Sequence, residues 1–163
     1  MRIALVCLGN ICRSPTAEVV LNARLVDAGL DGLIVAESCG TGDWHVGEPM
    51  DRRTARVLDD AGYDASRHRA RTFGPDWLDH DLILTMDAAN HADVLAQVPA
   101  ERHDRVRLFR TWDPEVAPGA PVPDVPDPWY GGPAGFLDVL AIVERTCDAI
   151  VAVMLEQNPP DRP

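Results

Sequence analysis

Arg2-Ile3-Ala4-Leu5-Val6-Cys7-Leu8-Gly9-Asn10-Ile11-Cys12-Arg13-Ser14-Pro15 is the stretch whose reading decides the fold. Arg2 to Cys7 is a short, apolar, β-rich run, which Gly9 and Asn10 break. From Ser14 to Ala28 the pattern is helical, with Pro15 at the favoured first-turn position and Gly29 as the stop. The loop between strand and helix lies where open parallel sheets bind ligands, at the C-terminal end of a strand. A loop that closes onto a helix N-terminus points several backbone N–H groups inward, a cradle for an anion the size of phosphate. Cys7 begins the loop and Arg13 ends it. The guanidinium can reach back over a bound anion as a bidentate fork, and the same positive field favours the thiolate of Cys7 as a nucleophile at neutral pH. Ser14 is placed to hydrogen-bond that sulfur.

Outward from this unit the alternation continues. Leu33 to Ser38 reads as a second strand, and Asp51 to Ala61 as a helix with Thr54, Val57, Leu58 and Ala61 on one face before Gly62. Leu82 to Met86 is a third strand, followed by a helix from about Ala88 to Gln97 with Asp87 as its N-cap, and Val106 to Phe109 is a fourth. The expected fold is α/β: a single-domain, open four-stranded parallel sheet with helices on both faces, joined by right-handed crossovers. Seven of the 14 prolines fall between Pro114 and Pro133, so that segment is an extended loop, and loops of such length are usually functional. Phe136, Leu140, Val143, Cys147, Ile150 and Met154 form the apolar stripe of a last helix, with Cys147 a core thiol. The domain is expected to span residues 1–157, with 158–163 and its three prolines as a frayed tail.

Composition closes off several functions. A chain of 163 residues, 46% hydrophobic and 25% charged, builds one soluble core. The 26 acidic against 15 basic residues give a net charge of -11, so neither nucleic acid nor anionic membrane is an expected partner. All the basic residues are arginine; the absence of lysine excludes a Walker-type phosphate loop and a Schiff-base lysine. The apolar run at the start is too short for a signal peptide, and Asp138, Glu144, Arg145 and Asp148 interrupt the one from Phe136 to Leu155, so a cytoplasmic location is expected. The four cysteines have no zinc spacing and are read as thiols, and no metal or other cofactor is expected. His45, His80, His91 and His103 show no ligand spacing and are read as surface groups.

A cysteine that attacks a phosphoester needs an acid to protonate the leaving oxygen. Asp127 is the candidate, in Asp124-Val125-Pro126-Asp127-Pro128-Trp129-Tyr130-Gly131-Gly132 on the proline-rich loop. Pro128 fixes the turn beside it, and Trp129 and Tyr130 would wall a pocket deep enough for an aromatic phosphoester. Asp113-Pro114 is a dipeptide of the same kind, but no aromatic pair follows it.

The octad from Cys7 to Ser14, C-x5-R-S, resembles the phosphate loop of the low-molecular-weight protein tyrosine phosphatases, and the resemblance runs from Arg2 to about Leu155. It implies catalytic roles for Cys7, Arg13 and Asp127, and a substrate site formed by Leu8, Gly9, Asn10, Ile11, Cys12 and Ser14, with Asn10 in a left-handed conformation. Asp127-Pro128-Trp129-Tyr130 is similar to the family's acid loop, which more often has Tyr at both aromatic positions; Trp129 therefore bears on substrate preference. Glu37 to His45 is similar to the family's S-A-G-T-x-x-W-H segment, with Cys39 in place of Ala. That likeness implies that Trp44 lines the pocket opposite Trp129 and Tyr130, and that Ser38 and His68 hold Asn10 and the loop in place. Met86-Asp87 and Asn90 match a segment that is structural in the family.

The implied activity is hydrolysis of phosphotyrosine and small aryl phosphates through a cysteinyl-phosphate, without a cofactor. Phosphotyrosine-containing proteins would be the partners, phosphate-like anions the inhibitors, and the state a monomer or weak dimer. The resemblance also implies that Cys7 and Cys12 can pair, with Cys12 as a resolving thiol. An arsenate reductase of the same fold would need resolving cysteines downstream, and there is none between Cys39 and Cys147. A binding module without turnover would have lost Cys7, Arg13 or Asp127. A branch acting on phosphoarginine carries Thr where this chain has Ile11, which points to phosphotyrosine.

Overall fold

Successive residues of a strand face opposite sides of its sheet, so a strand buried on both sides must be apolar throughout. In the computed structural model, which describes residues 1–158, β1 (Arg2–Cys7) meets that requirement after its exposed first residue, Arg2. Ile3 and Leu5 enter one core, Ala4 and Val6 the other, and none of the four is exposed. β1 lies between β2 (Val35–Gly40) and β3 (Leu82–Thr85), with β4 (Val106–Leu108) beyond β3. All three pairings are parallel, in the register Ile3 with Ala36 and Leu82, and Ile83 with Val106. On one face α1 (Arg13–Asp27), α2 (Arg52–Asp60) and α4 (Pro133–Gln157) share a core in which Val20, Leu21 and Leu25 pack with Leu58, Val143, Cys147 and Ile150. On the other face, Val94 of α3 (Ala88–Leu95) packs with Phe73 and Trp77.

The expected sheet, its four strands and the flanking helices are all present. Asp51 and Asp87 cap α2 and α3 by accepting from the N–H groups of Arg53 at 2.8 Å and Asn90 at 2.7 Å. Gly29 and Gly62, at φ 68° and 89°, end α1 and α2 in the left-handed conformation that stops helices. β2 starts two residues later than its apolar run implied, because Leu33 and Ile34 donate to the carbonyl of Leu30 in a turn. His80 is not a surface group: it is buried, stacked on Trp77 at 5.0 Å, with its ring nitrogens against the Trp77 carbonyl and the Glu37 carboxylate. Of the tail expected to fray, residues 159–163 lie outside the described residues. Among the described residues, no helix is long and apolar enough to cross a membrane.

The proline-rich segment runs without helix or strand from Asp113 to Asp127, and Asp113 anchors its base. Its buried carboxylate accepts from Arg145 Nε and Nη2 at 2.8 and 3.0 Å, from Arg110 Nε at 2.8 Å and from the N–H of Glu115 at 3.0 Å. Burial alone would push its pKa up; the bonds from Arg145, Glu115 and Arg110 outweigh burial and hold it below the ordinary carboxylate value. Asp113→Asn is therefore expected to lower unfolding stability by about 2–4 kcal/mol in urea titrations, since it leaves the partly buried Arg110 without its counter-charge and Arg145 with the exposed Glu115 alone. A group with a depressed native pKa stabilises fully above the unfolded aspartate pKa of about 4 and loses that effect as pH falls through the folded value. The difference between parent and variant should thus shrink on acidification. An unchanged urea midpoint at neutral pH would refute the anchor.

Candidate active site

Cys7 ends β1, Arg13 begins α1, and the loop between them turns its carbonyl groups outward. Cys7 O and Leu8 O accept from the N–H groups of Thr41 and Gly42, each at 2.9 Å, and Ile11 O accepts from Asp51 N–H at 2.8 Å. Asn10 O accepts from His68 Nε2 at 2.8 Å, and Cys12 O from the Thr16 hydroxyl at 2.7 Å. With the carbonyls engaged outside, the N–H groups of Gly9, Ile11 and Cys12 have no acceptor among the described residues and remain for a ligand.

Asn10 makes this geometry possible. It is the one non-glycine residue with positive φ among the described residues, at 56°. Its side chain donates to Ser38 Oγ at 2.8 Å and Ser14 Oγ at 2.9 Å and accepts from Arg71 N–H at 2.8 Å. Ser38 in turn donates to Glu18. The N–H of Asn10 and the hydroxyl of Ser14 converge on Cys7 Sγ at 3.2 and 3.0 Å, an arrangement suited to a negatively charged sulfur. Ser38 and His68 are both buried and both bond Asn10, one at its side chain and one at its carbonyl.

Arg13 is almost wholly buried and is held by two aspartates that work alike. Asp87 accepts from Arg13 Nη1 at 2.6 Å with one oxygen and caps α3 with the other. Asp127 accepts from Arg13 Nη2 at 3.2 Å with one oxygen and from Trp129 N–H at 3.1 Å with the other. Arg13 Nη1 also donates to the carbonyl of Val125 at 3.2 Å. Burial alone would weaken the guanidinium charge; Cys7, Asp87 and Asp127 more than offset this and raise its pKa. The proline-rich loop is therefore pinned to the phosphate-sized loop by the arginine that closes it.

Together these groups line a pocket of about 290 Å³, whose walls include Leu8, Gly9, Ile11, Cys12, Trp44, His45, Trp129 and Tyr130. Asn10 and Ser14 lie beneath it, fully buried. Trp44 and Tyr130 are largely exposed at the rim. Trp129 sits between the guanidinium of Arg53, 5.3 Å from its ring, and His45, 6.2 Å away. His45, read from sequence as a surface group, belongs to the pocket wall, with Nδ1 held by Glu48 at 2.7 Å. The sequence marks Asp87 as a cap within a segment that is structural in the resembled family; its position after β3, beside β1 in the sheet, is the signal that it faces the ligand site. All four cysteines are free thiols, and burial pushes the pKa of Cys12 up to about 12.

The sequence model of the low molecular weight phosphotyrosine protein phosphatase family matches residues 2–159. The chain belongs to this family. The phosphatase is 47% identical over 158 residues to the low molecular weight protein-tyrosine-phosphatase of Streptomyces coelicolor, covering 96% of this chain and 94% of that one. It is 42% identical over 144 residues to low molecular weight protein-tyrosine phosphatase A of Mycobacterium tuberculosis, covering 88% and 85%. A crystal structure of a protein tyrosine phosphatase from Entamoeba histolytica superposes with a TM-score of 0.87 at 30% identity, covering 97% of this chain and 99% of that one.

One glycine of the phosphatase supports the loop from below and was missed in the sequence. Gly40 ends β2 directly under it: an added Cβ would stand 2.5 Å from Leu8 O and 3.0 Å from Asn10 N, both backbone atoms. Gly40→Ala is expected to displace the loop, weaken phosphate binding at least tenfold and lower kcat/KM for aryl phosphates by about 10²-fold. Calorimetric phosphate titration and steady-state kinetics check this, and parent-like phosphate affinity would show that the loop yields without loss.

Proposed function

We infer that the protein hydrolyses phosphotyrosine in proteins, and small aryl phosphates, through a cysteinyl-phosphate intermediate. The observation that carries the reading is the meeting of Cys7, Arg13 and Asp127 at one pocket beneath a rim of Trp44, Trp129 and Tyr130. In the first step Cys7 Sγ attacks phosphorus, the bond from phosphorus to the phenolic oxygen breaks, and Asp127 gives that oxygen a proton. In the second, water attacks phosphorus, the sulfur leaves, and Asp127 takes the proton from water. Arg13 and the inward N–H groups stabilise the phosphoryl charge in both steps. Asp87 positions Arg13; Asn10, Ser38 and His68 position the loop. Leu8, Gly9, Ile11 and Cys12 contribute backbone to the phosphate site, and the aromatic rim takes the ring of the substrate.

The thiols downstream of the loop support hydrolysis over an arsenate reductase. Cys39 and Cys147 are fully buried in the two cores, and burial raises both pKa values, so neither is available to take over from Cys7. Free thiols throughout suit a reducing, cytoplasmic setting.

Cys7→Ser is expected to abolish release of phosphate from p-nitrophenyl phosphate while retaining phosphate binding, because the N–H groups and Arg13 remain; orthovanadate should inhibit the parent. Turnover near the parent rate would remove Cys7 as nucleophile. Asp127→Asn is expected to lower kcat for phosphotyrosine peptides by about 10²- to 10⁴-fold, and much less for a substrate whose leaving group is already acidic. Equal losses on both substrates would mean that Asp127 shapes the loop rather than donating a proton.

A further inference from the structure

A second groove, of about 730 Å³, opens behind the phosphate loop between α1 and the irregular segment that follows α2. It is more than twice the volume of the catalytic pocket and falls in the range of small-molecule sites. Its wall carries Arg67, Arg69 and Arg71, three of the chain's 15 basic residues within five positions, on a molecule of net charge -11.

Two carboxylates, Glu18 and Asp64, also face the groove. Glu18 accepts from the Ser38 hydroxyl and pairs with Arg71 at 3.4 Å. Asp64 accepts from the N–H and hydroxyl of Ser66 at 3.0 and 2.6 Å, and these bonds together with the charge of Arg67 hold its pKa below the ordinary carboxylate value. Arg69 donates to the carbonyls of Ser66 and His68 at 3.2 and 2.6 Å, neutral groups that leave its charge uncompensated. Arg67 makes no ion pair among the described residues. Arg69, which no carboxylate pairs among the described residues, and Arg67, whose charge reaches only as far as the exposed Asp64 without an ion pair, line one groove and suit a doubly charged oxyanion, which guanidinium groups bind as forks.

The floor of this groove is the clamp on Asn10. His68 Nε2 and Arg71 N–H donate to Asn10 O and Asn10 Oδ1, both at 2.8 Å, and Glu18 reaches Asn10 through Ser38. Arg71 therefore borders the groove with its guanidinium held by Glu37 at 3.1 Å, Glu18 at 3.4 Å and the Ser38 carbonyl at 3.2 Å, while its backbone holds the residue whose N–H bonds Cys7 Sγ.

We propose that the groove is a second anion site, which takes phosphate dianion, free or as a monoester of a small alcohol, and that its occupancy slows turnover. The inference rests on the reading of Cys7 to Ser14 as the catalytic phosphate loop. An anion held by Arg67 and Arg69 attracts Arg71 as well and competes with its ion pairs to Glu18 at 3.4 Å and Glu37 at 3.1 Å. The strain passes through the Arg71 backbone to Asn10, and the loop becomes a less well organised cradle for the transferring phosphoryl group.

Calorimetric titration with inorganic phosphate and with glycerol 2-phosphate tests the site. The unmodified protein is expected to show two binding events for phosphate. Arg67→Gln/Arg69→Gln should weaken one at least tenfold and keep the other, which Arg13→Ala should remove. Loss of both events in Arg13→Ala, or of neither, would count against the reading of the catalytic loop and is thus distinguishable from failure of the groove. A groove event with both titrants assigns the shared phosphate group, and one with inorganic phosphate alone assigns the free ion. At saturating p-nitrophenyl phosphate, where competition in the catalytic pocket is outrun, phosphate is expected to lower kcat of the parent at least twofold and leave that of the double variant unchanged. Arg67→Gln alone, which leaves the bonds of Arg69 intact, should weaken the groove event at least threefold and serves if the double variant misfolds. A single event in the parent, or equal kcat responses in parent and variants, overturns the proposal.

Discussion

A stretch of backbone can offer its N–H groups to an anion only when its carbonyl groups are satisfied elsewhere. In this phosphatase the carbonyls of Cys7, Leu8, Asn10, Ile11 and Cys12 all find donors on the outside of the loop. Those donors come from the residues after β2, from the segment containing His68, from the cap of α2 and from the first turn of α1. The site is thus a property of the packed sheet and not of the octad alone. The positive φ of Asn10 is the point at which the backbone reverses to make this possible, and its side chain meets Ser14, Ser38 and Arg71, so the strained residue is also the best tied.

Around that backbone cradle the side-chain charges are few and paired. Arg13 would be an expensive buried cation without Asp87 and Asp127, and each aspartate serves twice, with one oxygen on the arginine and one on a backbone N–H. The double use couples elements far apart in sequence: the start of α1, the start of α3 and the proline-rich loop share one guanidinium. Val125, whose N–H donates to Met86 O at 2.7 Å, fastens the same loop to the end of β3. A long segment without regular structure is in this way held at its base by Asp113 and at its tip by Arg13.

What could be read in advance divides along the range of the interactions. β1, the loop and α1 are legible because apolar alternation, a Gly-Asn break and a first-turn proline are local signals that agree. The start of β2 was misplaced because Leu33 and Ile34 are as apolar as a strand yet spend their N–H groups on Leu30; apolarity reports burial, not pairing. His80 carries no periodic signal, and what buries it is a stack on Trp77 and a carboxylate 43 positions away. Asp87 shows its cap in the sequence, but its second oxygen meets an arginine 74 positions away. Asp113 reads as a turn residue, which it is toward Glu115, while its bonds to Arg145 arise only when α4 folds back. The pocket residues Cys7, Arg13 and Asp127 were found because a motif fixes their spacing; His45 was missed because its neighbour Trp44 carried the signal for both.

A recognition surface made of amide hydrogens has an unusual relation to inheritance. Apart from a change to proline, no substitution within residues 8–12 can delete the donors, since every other amino acid supplies the same N–H. Mutation can only misdirect them. The positions at which change is most damaging are accordingly those that orient the loop: Asn10 within it, and outside it Gly40, whose missing side chain leaves room beneath Leu8 and Asn10, with Ser38 and His68 behind them. Leu8, which is 39% exposed, is free to drift in the same lineage. Sequence comparison of descendants would find the pocket protected by its neighbours, with a tolerant position such as Leu8 in the pocket wall itself.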